Sequence, residues 1–157
     1  MNKHLILLAV ACMACGTAPD PQRQGRPAPV DPAPDGPFAT LPMRFDGYYM
    51  AENDGVMYMV RFFPGGNAVL INGLGEGPGD LPAKLVPDAV PDPLVGHYNV
   101  PVEVHGDSLF FTTTPRRGEI HYRGAFIDAQ TLRLHRRSDI TGRQDVLEYR
   151  LRPDPSQ

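Results

Sequence analysis

Ile120-His121-Tyr122-Arg123-Gly124-Ala125-Phe126 alternates residue by residue, with Ile, Tyr, Gly and Phe on one face and His, Arg and Ala on the other. A period of two is the signature of a β-strand with one buried side. The same alternation continues downstream. Leu132 and Leu134 oppose Arg133, His135 and Arg137, and Leu147, Tyr149 and Leu151 oppose Glu148, Arg150 and Arg152. Strands with one wet face belong to antiparallel sheets, in which one side packs on the core and the other meets water.

Outward from this stretch, period-two runs recur between turn residues. The predicted strands are Gly47 to Ala51, Val56 to Phe63, Ala68 to Gly73, Gly96 to Val104, Ser108 to Thr114, Glu119 to Ile127, Thr131 to Ser138 and Asp145 to Arg152. Most links are short and contain Gly, Asn or Asp, which supply positive φ or side-chain turn bonds: Glu52-Asn53-Asp54-Gly55, Pro64-Gly65-Gly66-Asn67, His105-Gly106-Asp107. Eight hairpin-linked strands form an all-β antiparallel meander. Closing it removes both raw edges, so an up-and-down eight-stranded barrel is expected, with a two-sheet β-sandwich as the alternative architecture.

One hairpin departs from the wet-face pattern. Val56 to Val60 and Phe62-Phe63 are apolar on both faces, interrupted by Arg61, so something must cover their outer side. Leu74 to Val95, 22 residues with five prolines, is too long for a plain hairpin loop. It is expected to fold as a strap or lid, with one helical turn, against the barrel wall or mouth.

The domain therefore runs from residue 38 to 153, with a tail at 154–157. Before it, residues 16–37 read GTAPDPQRQGRPAPVDPAPDGP, with seven prolines and Val30 as the only large aliphatic residue. Such a segment cannot bury enough apolar surface to offset chain entropy, and it is expected to be a disordered, extended tether. Residues 1–15 carry Lys3, the apolar run Leu5 to Ala11, and then Cys12-Met13-Ala14-Cys15. The run is far shorter than the roughly 20 residues a membrane span needs, and reads as a signal-peptide core.

A small residue before a cysteine resembles the lipobox of bacterial lipoproteins, in which cleavage exposes a cysteine that is then acylated. The resemblance implies lipidation at Cys15, with Cys12 as the alternative, and a lipid-anchored place in the bacterial envelope. Gly16 after Cys15 is compatible with transfer to the outer membrane, facing the periplasm or the cell surface. The two cysteines are the only ones in the chain, so the domain itself forms no disulfide.

Phe45-Asp46-Gly47-Tyr48-Tyr49, then Val60-Arg61-Phe62-Phe63-Pro64-Gly65-Gly66-Asn67, looks like the opening of small bacterial lipocalin-like (calycin-type) barrels. Leu109 to Thr114, Tyr122-Arg123-Gly124 and Thr131 to Leu134 resemble their back half, and a similar barrel ends some F-box proteins. Lipocalins have Gly-x-Trp in the first strand, and this chain has no tryptophan. The resemblance implies that Tyr48 or Tyr49 takes that place, with Arg150 or Arg152 stacked on it in a cation–π contact.

Catalytic patterns are absent from the sequence. His97, His105, His121 and His135 lie on different predicted strands or turns, and are read as solvated strand histidines lacking the pairing and acidic partners of a metal site. Ser108 and Ser138 sit in no nucleophile elbow. No enzyme activity, cofactor or metal is expected, and an exported chain of net charge −3 is a poor nucleic-acid partner. Charge is uneven, however. Arg116 to Arg152 holds nine arginines against five acids, with Arg116, Arg117, Arg133, Arg136 and Arg137 expected on one basic face.

Two functions follow as expectations. In the first, the barrel cup binds a small apolar or amphipathic ligand, lined by Tyr48, Tyr58, Phe62, Tyr98, Phe110, Tyr122 and Tyr149. In the second, the loops or the arginine face bind or inhibit an envelope protein. A filled interior favours the second.

Overall fold

The computed structural model describes residues 36–74 and 78–154. The expected signal peptide, Cys15 and Cys12, the tether up to residue 35 and the tail from 155 lie outside the described residues.

The strands are β1 (Gly47–Asn53), β2 (Val56–Phe63), β3 (Asn67–Leu74), β4 (Tyr98–Pro101), β5 (Glu103–His105), β6 (Ser108–Thr113), β7 (Ile120–Asp128), β8 (Thr131–Ser138) and β9 (Gln144–Pro153). They form one antiparallel sheet in the order β4-β3-β2-β1-β9-β8-β7-β6-β5, curled into a nearly closed up-and-down barrel. The expected architecture holds, with nine strands in place of eight.

The additional strand comes from a change of partner. Tyr98–Pro101 pairs with β3, Asn67 facing Pro101, whereas Glu103–His105 pairs with β6. Pro101 has no N–H to extend a ladder, and the next residue, Val102, donates its N–H to Gly66 O at 2.9 Å. The expected strand Gly96 to Val104 thus passes from one edge of the sheet to the other and brings the two edges together in a nearly closed ring.

Inward positions follow the alternation. Tyr49, Val60, Phe62, Leu70, Leu109, Phe111, Tyr122, Leu132, Leu134 and Tyr149 are buried in one core. One end of the barrel holds the turns after β2, β5 and β7, and there Phe38, Leu41 and Met43, ahead of β1, plug the interior. Gly36 and Pro37 already belong to this plug, because a Cβ on Gly66 would stand 3.0 Å from Pro37 Cγ. The opposite end holds the turns after β1, β6 and β8.

A second core lies outside the barrel wall. Met57, Met59, Val69 and Ile71 point outward from β2 and β3 and are covered by Leu85 and Ala89. The covering segment contains a 3₁₀ turn, Leu81–Lys84. It is stapled down by Asn99, whose Nδ2 donates to Pro87 O at 3.0 Å and Ala89 O at 3.2 Å, and by His97 Nε2, 3.1 Å from Lys84 O. The doubly apolar hairpin has the strap it requires, laid over the wall. His97 is a buried staple and not a solvated histidine.

Candidate functional site

The seven residues expected to line a cup divide by strand parity. Tyr58, Phe62, Tyr98, Tyr122 and Tyr149 face inward. Tyr48 and Phe110 face outward, which corrects their assignment: adjacent residues of a strand take opposite faces, and Tyr49 and Phe111 hold the inward positions. Tyr48 joins the outer core, and Phe110 packs on His105 with centroids 5.3 Å apart.

Aromatic side chains that point into the barrel pack on one another. Phe62 meets Tyr49, Phe111 and Phe126 at centroid distances of 6.1, 6.4 and 6.0 Å, and Phe111 stacks on Tyr122 at 4.7 Å. Centroid separations of this size are ordinary aromatic packing and leave no room for a ligand between the rings. Burial pushes the Tyr122 and Tyr149 hydroxyls above their ordinary pKa, keeping them neutral.

The expected tyrosine–arginine closure takes another form. Arg150 faces outward by the same parity, donating to Thr131 Oγ1 at 2.7 Å and pairing with Glu148, and Arg152 is exposed. Tyr49, the inward-facing tyrosine of the pair, is held instead by backbone groups through its hydroxyl.

A concavity lies along the wall formed by β6 to β9. It is an open groove of about 1020 Å³, lined mainly by outward residues of these strands and also by Phe111, Tyr122, Phe126, Arg136 and Asp145, whose side chains face inward. Phe110, Ala125, Ile127 and Val146 supply its apolar surface, with Val146 58% and Ile127 52% exposed. Arg123, Arg133, Arg137, His121 and His135 stand among them. Arg123 lies 5.7 Å from the centre of the Phe110 ring, Arg133 pairs with Glu148 at 3.1 Å, and Arg137 pairs with Asp139 at 3.0 Å.

The expected basic face is therefore only partly one surface. Arg133 and Arg137 lie in the groove, whereas Arg116 and Arg117 are exposed at the β6–β7 connection. Arg136 is a correction. It shares the inward parity of Leu132 and Leu134, lies over the Tyr58 ring at 5.6 Å, and pairs with Asp145 at 3.1 Å. Arg123 was missed as a groove residue although alternation with Tyr122 and Gly124 places it outside.

At the end of the groove, His121 Nε2 is 3.0 Å from Asp139 Oδ2 and 3.7 Å from Glu119 Oε2. The histidine, expected to lack acidic partners, thus has two. Glu119, two residues earlier on the same side of the chain, was the available signal. Asp139 arrives across the ladder, its N–H donating to Glu119 O at 2.9 Å. The hydrogen bond from His121, and secondarily that from Arg137, holds the Asp139 carboxyl below the usual carboxylate range.

Family models, curated proteins and solved structures gave no match to this chain.

Proposed function

We propose that the chain is a lipid-anchored binding module of the bacterial envelope, a lipocalin-like barrel that engages an envelope protein through the outer groove of β6 to β9. The carrying observation is that aromatic side chains inside the barrel pack on one another while an open groove, lined mainly by outward residues, runs along the wall of β6 to β9. Exposed Ile127 and Val146 among arginines suit a partner segment combining apolar and acidic side chains. No catalytic role is assigned. The lipobox-like sequence around Cys15, or alternatively Cys12, supports the acyl anchor, and Gly16 supports an outer-membrane destination. Stable anchoring takes more than one acyl chain, which a lipoprotein cysteine carries.

Photo-crosslinking tests the partner. A crosslinking residue at Val146 is expected to trap one protein species in intact cells, and Arg123→Glu is expected to abolish the adduct. Equal adducts from Val90, an exposed position on the strap, would remove the groove from consideration. Palmitate labelling tests the anchor: it is expected to survive Cys12→Ser and to be lost in Cys15→Ser.

A second reading, an amphipathic small ligand, rests on the barrel end where Tyr58, Tyr122 and Arg136 converge. There, Thr113 Oγ1 and Arg136 Nε are buried without a hydrogen-bond partner among the described residues. Native mass spectrometry of the protein from its own membrane checks this reading by reporting any retained molecule.

A further inference from the structure

We propose that Glu119, His121 and Asp139 form a binding site for a borderline divalent transition-metal ion, with Zn²⁺ the representative occupant. The three donor atoms lie within 4.8 Å of one another. Zinc bonds of about 2.0–2.1 Å at tetrahedral angles place neighbouring ligand atoms roughly 3.3 Å apart. The separations from His121 Nε2, 3.0 and 3.7 Å, bracket that value, so small side-chain rotations suffice.

Backbone pairing assembles the cluster before any ion arrives. Ile120 sits opposite Ser138 in the β7–β8 ladder, and Asp139 N–H bonds to Glu119 O, so the two carboxylate-bearing residues are fixed side by side. The histidine ring is oriented from its far side. Thr112, directly across from His121 on β6, has its Oγ1 3.1 Å from Nδ1, which leaves Nε2 for the carboxylates. Metal-binding histidines are fixed by an acceptor for the N–H of their second ring nitrogen, a role that the Thr112 hydroxyl oxygen fills here when Nδ1 carries the proton. Arg137 takes Asp139 Oδ1, so Oδ2 is the oxygen turned to the site.

One imidazole nitrogen with two carboxylate oxygens favours zinc-like ions over Mg²⁺ or Ca²⁺, which prefer all-oxygen sets. Three protein ligands on an exposed strand end leave a coordination position open to water or a partner's side chain. The inference is independent of the partner proposed above, because the metal alone is the probe.

Calorimetric titration of the full chain with ZnCl₂, CoCl₂ and MgCl₂ tests it. Zn²⁺ and Co²⁺ are expected to bind at one site per chain that Mg²⁺ does not fill. His121→Gln is expected to abolish that site, and Thr112→Val to weaken it about tenfold or more. His105→Gln, which removes an exposed histidine outside the cluster, 3.5 Å from Glu103, is expected to leave it unchanged. Co²⁺ should also broaden the Thr112 methyl resonance in NMR spectra, separating this site from any binding at Cys12 or Cys15. Absence of binding, binding unaffected by His121→Gln, or a Thr112 methyl indifferent to Co²⁺ overturns the proposal. Retained thermal melting of His121→Gln shows that its loss of binding is not loss of fold.

Discussion

The Tyr49 hydroxyl donates to Ala129 O at 3.1 Å and accepts the Arg44 N–H at 3.0 Å, joining the plug ahead of β1 to the β7–β8 turn. This one side chain ties the segment that seals the barrel to a turn 80 residues further along the chain. Tyr49→Phe keeps the ring packing and removes both bonds. It is expected to cost about 1–2 kcal/mol, because two backbone groups lose their partner. Chemical denaturation checks this, with an unchanged m-value showing that the barrel still unfolds as one unit.

Alkaline pH acts on the same group. Burial raises the Tyr49 pKa from 10.0 to about 12, and burial raises those of Tyr98, Tyr122 and Tyr149 as well. An acid whose folded pKa lies above its unfolded value stabilises the fold fully below the unfolded pKa and loses that contribution as pH rises through the folded one. Stability against urea is therefore expected to lose the tyrosine contribution from about pH 10 upward, through about pH 12 for Tyr49. Lys3 and Lys84 are the only lysines, so tyrosines dominate titration in this range. Tyrosinate absorbance rising together with loss of β-sheet dichroism is the expected observation, and full ionisation while the sheet persists would contradict it.

Two glycines permit strand contact that no other residue allows. A Cβ on Gly124 would stand 2.0 Å from Arg133 O, and one on Gly47 would stand 2.2 Å from Arg152 O. The obstacles are backbone oxygens in neighbouring strands, which cannot swing aside as a side-chain tip does. Gly124→Ala is expected to cost about 1–3 kcal/mol, the range for overpacking. Gly65→Ala, whose Cβ would meet nothing nearer than 3.8 Å, should stay within about 0.5 kcal/mol of the parent. Thermal melting of the two variants distinguishes them.

Leu85 is fully buried between the strap and the outward side chains Met57, Met59, Val69 and Ile71. Leu85→Ala is expected to cost about 2–5 kcal/mol, as for other buried leucines. The loss should be local first, since the inner core is untouched. Limited proteolysis is expected to leave the parent strap whole and to cut the variant between residues 78 and 95 while the barrel fragments remain associated.

These elements differ in how legible they are. Alternation in β7, β8 and β9 is visible because one face meets water, so polarity itself marks the side. The strap was legible through its consequence: Val56 to Phe63 is apolar on both sides, which water would not tolerate. Where a strand is apolar throughout, as in Leu109-Phe110-Phe111, polarity no longer distinguishes the faces, and the expectation of Phe110 inside the barrel has nothing to correct it. The β4–β5 exchange of partners left only Pro101 as a trace. Glu119 and His121 could be paired from their spacing, but Asp139 lies just beyond the end of the next strand, and that proximity depends on the Ile120–Ser138 register.

Arg136 shows how a polar residue conceals its side. Charge alone groups it with Arg137 on the expected basic outer face, yet consecutive strand residues cannot share a face. It turns inward because Asp145, at an inward position of β9, meets it at 3.1 Å, with the two side chains 16% and 13% exposed. A charge this enclosed is tolerated only while paired. Asp145→Ala is expected to cost about 3 kcal/mol or more, since the guanidinium stays behind over Tyr58 without its carboxylate. Replacing both residues by leucine removes the charge together with its partner and is expected to cost less than Asp145→Ala alone. Denaturation midpoints of the parent, Asp145→Ala and the double variant decide the matter. A double variant less stable than Asp145→Ala would mean that the pair itself holds this end of the barrel together.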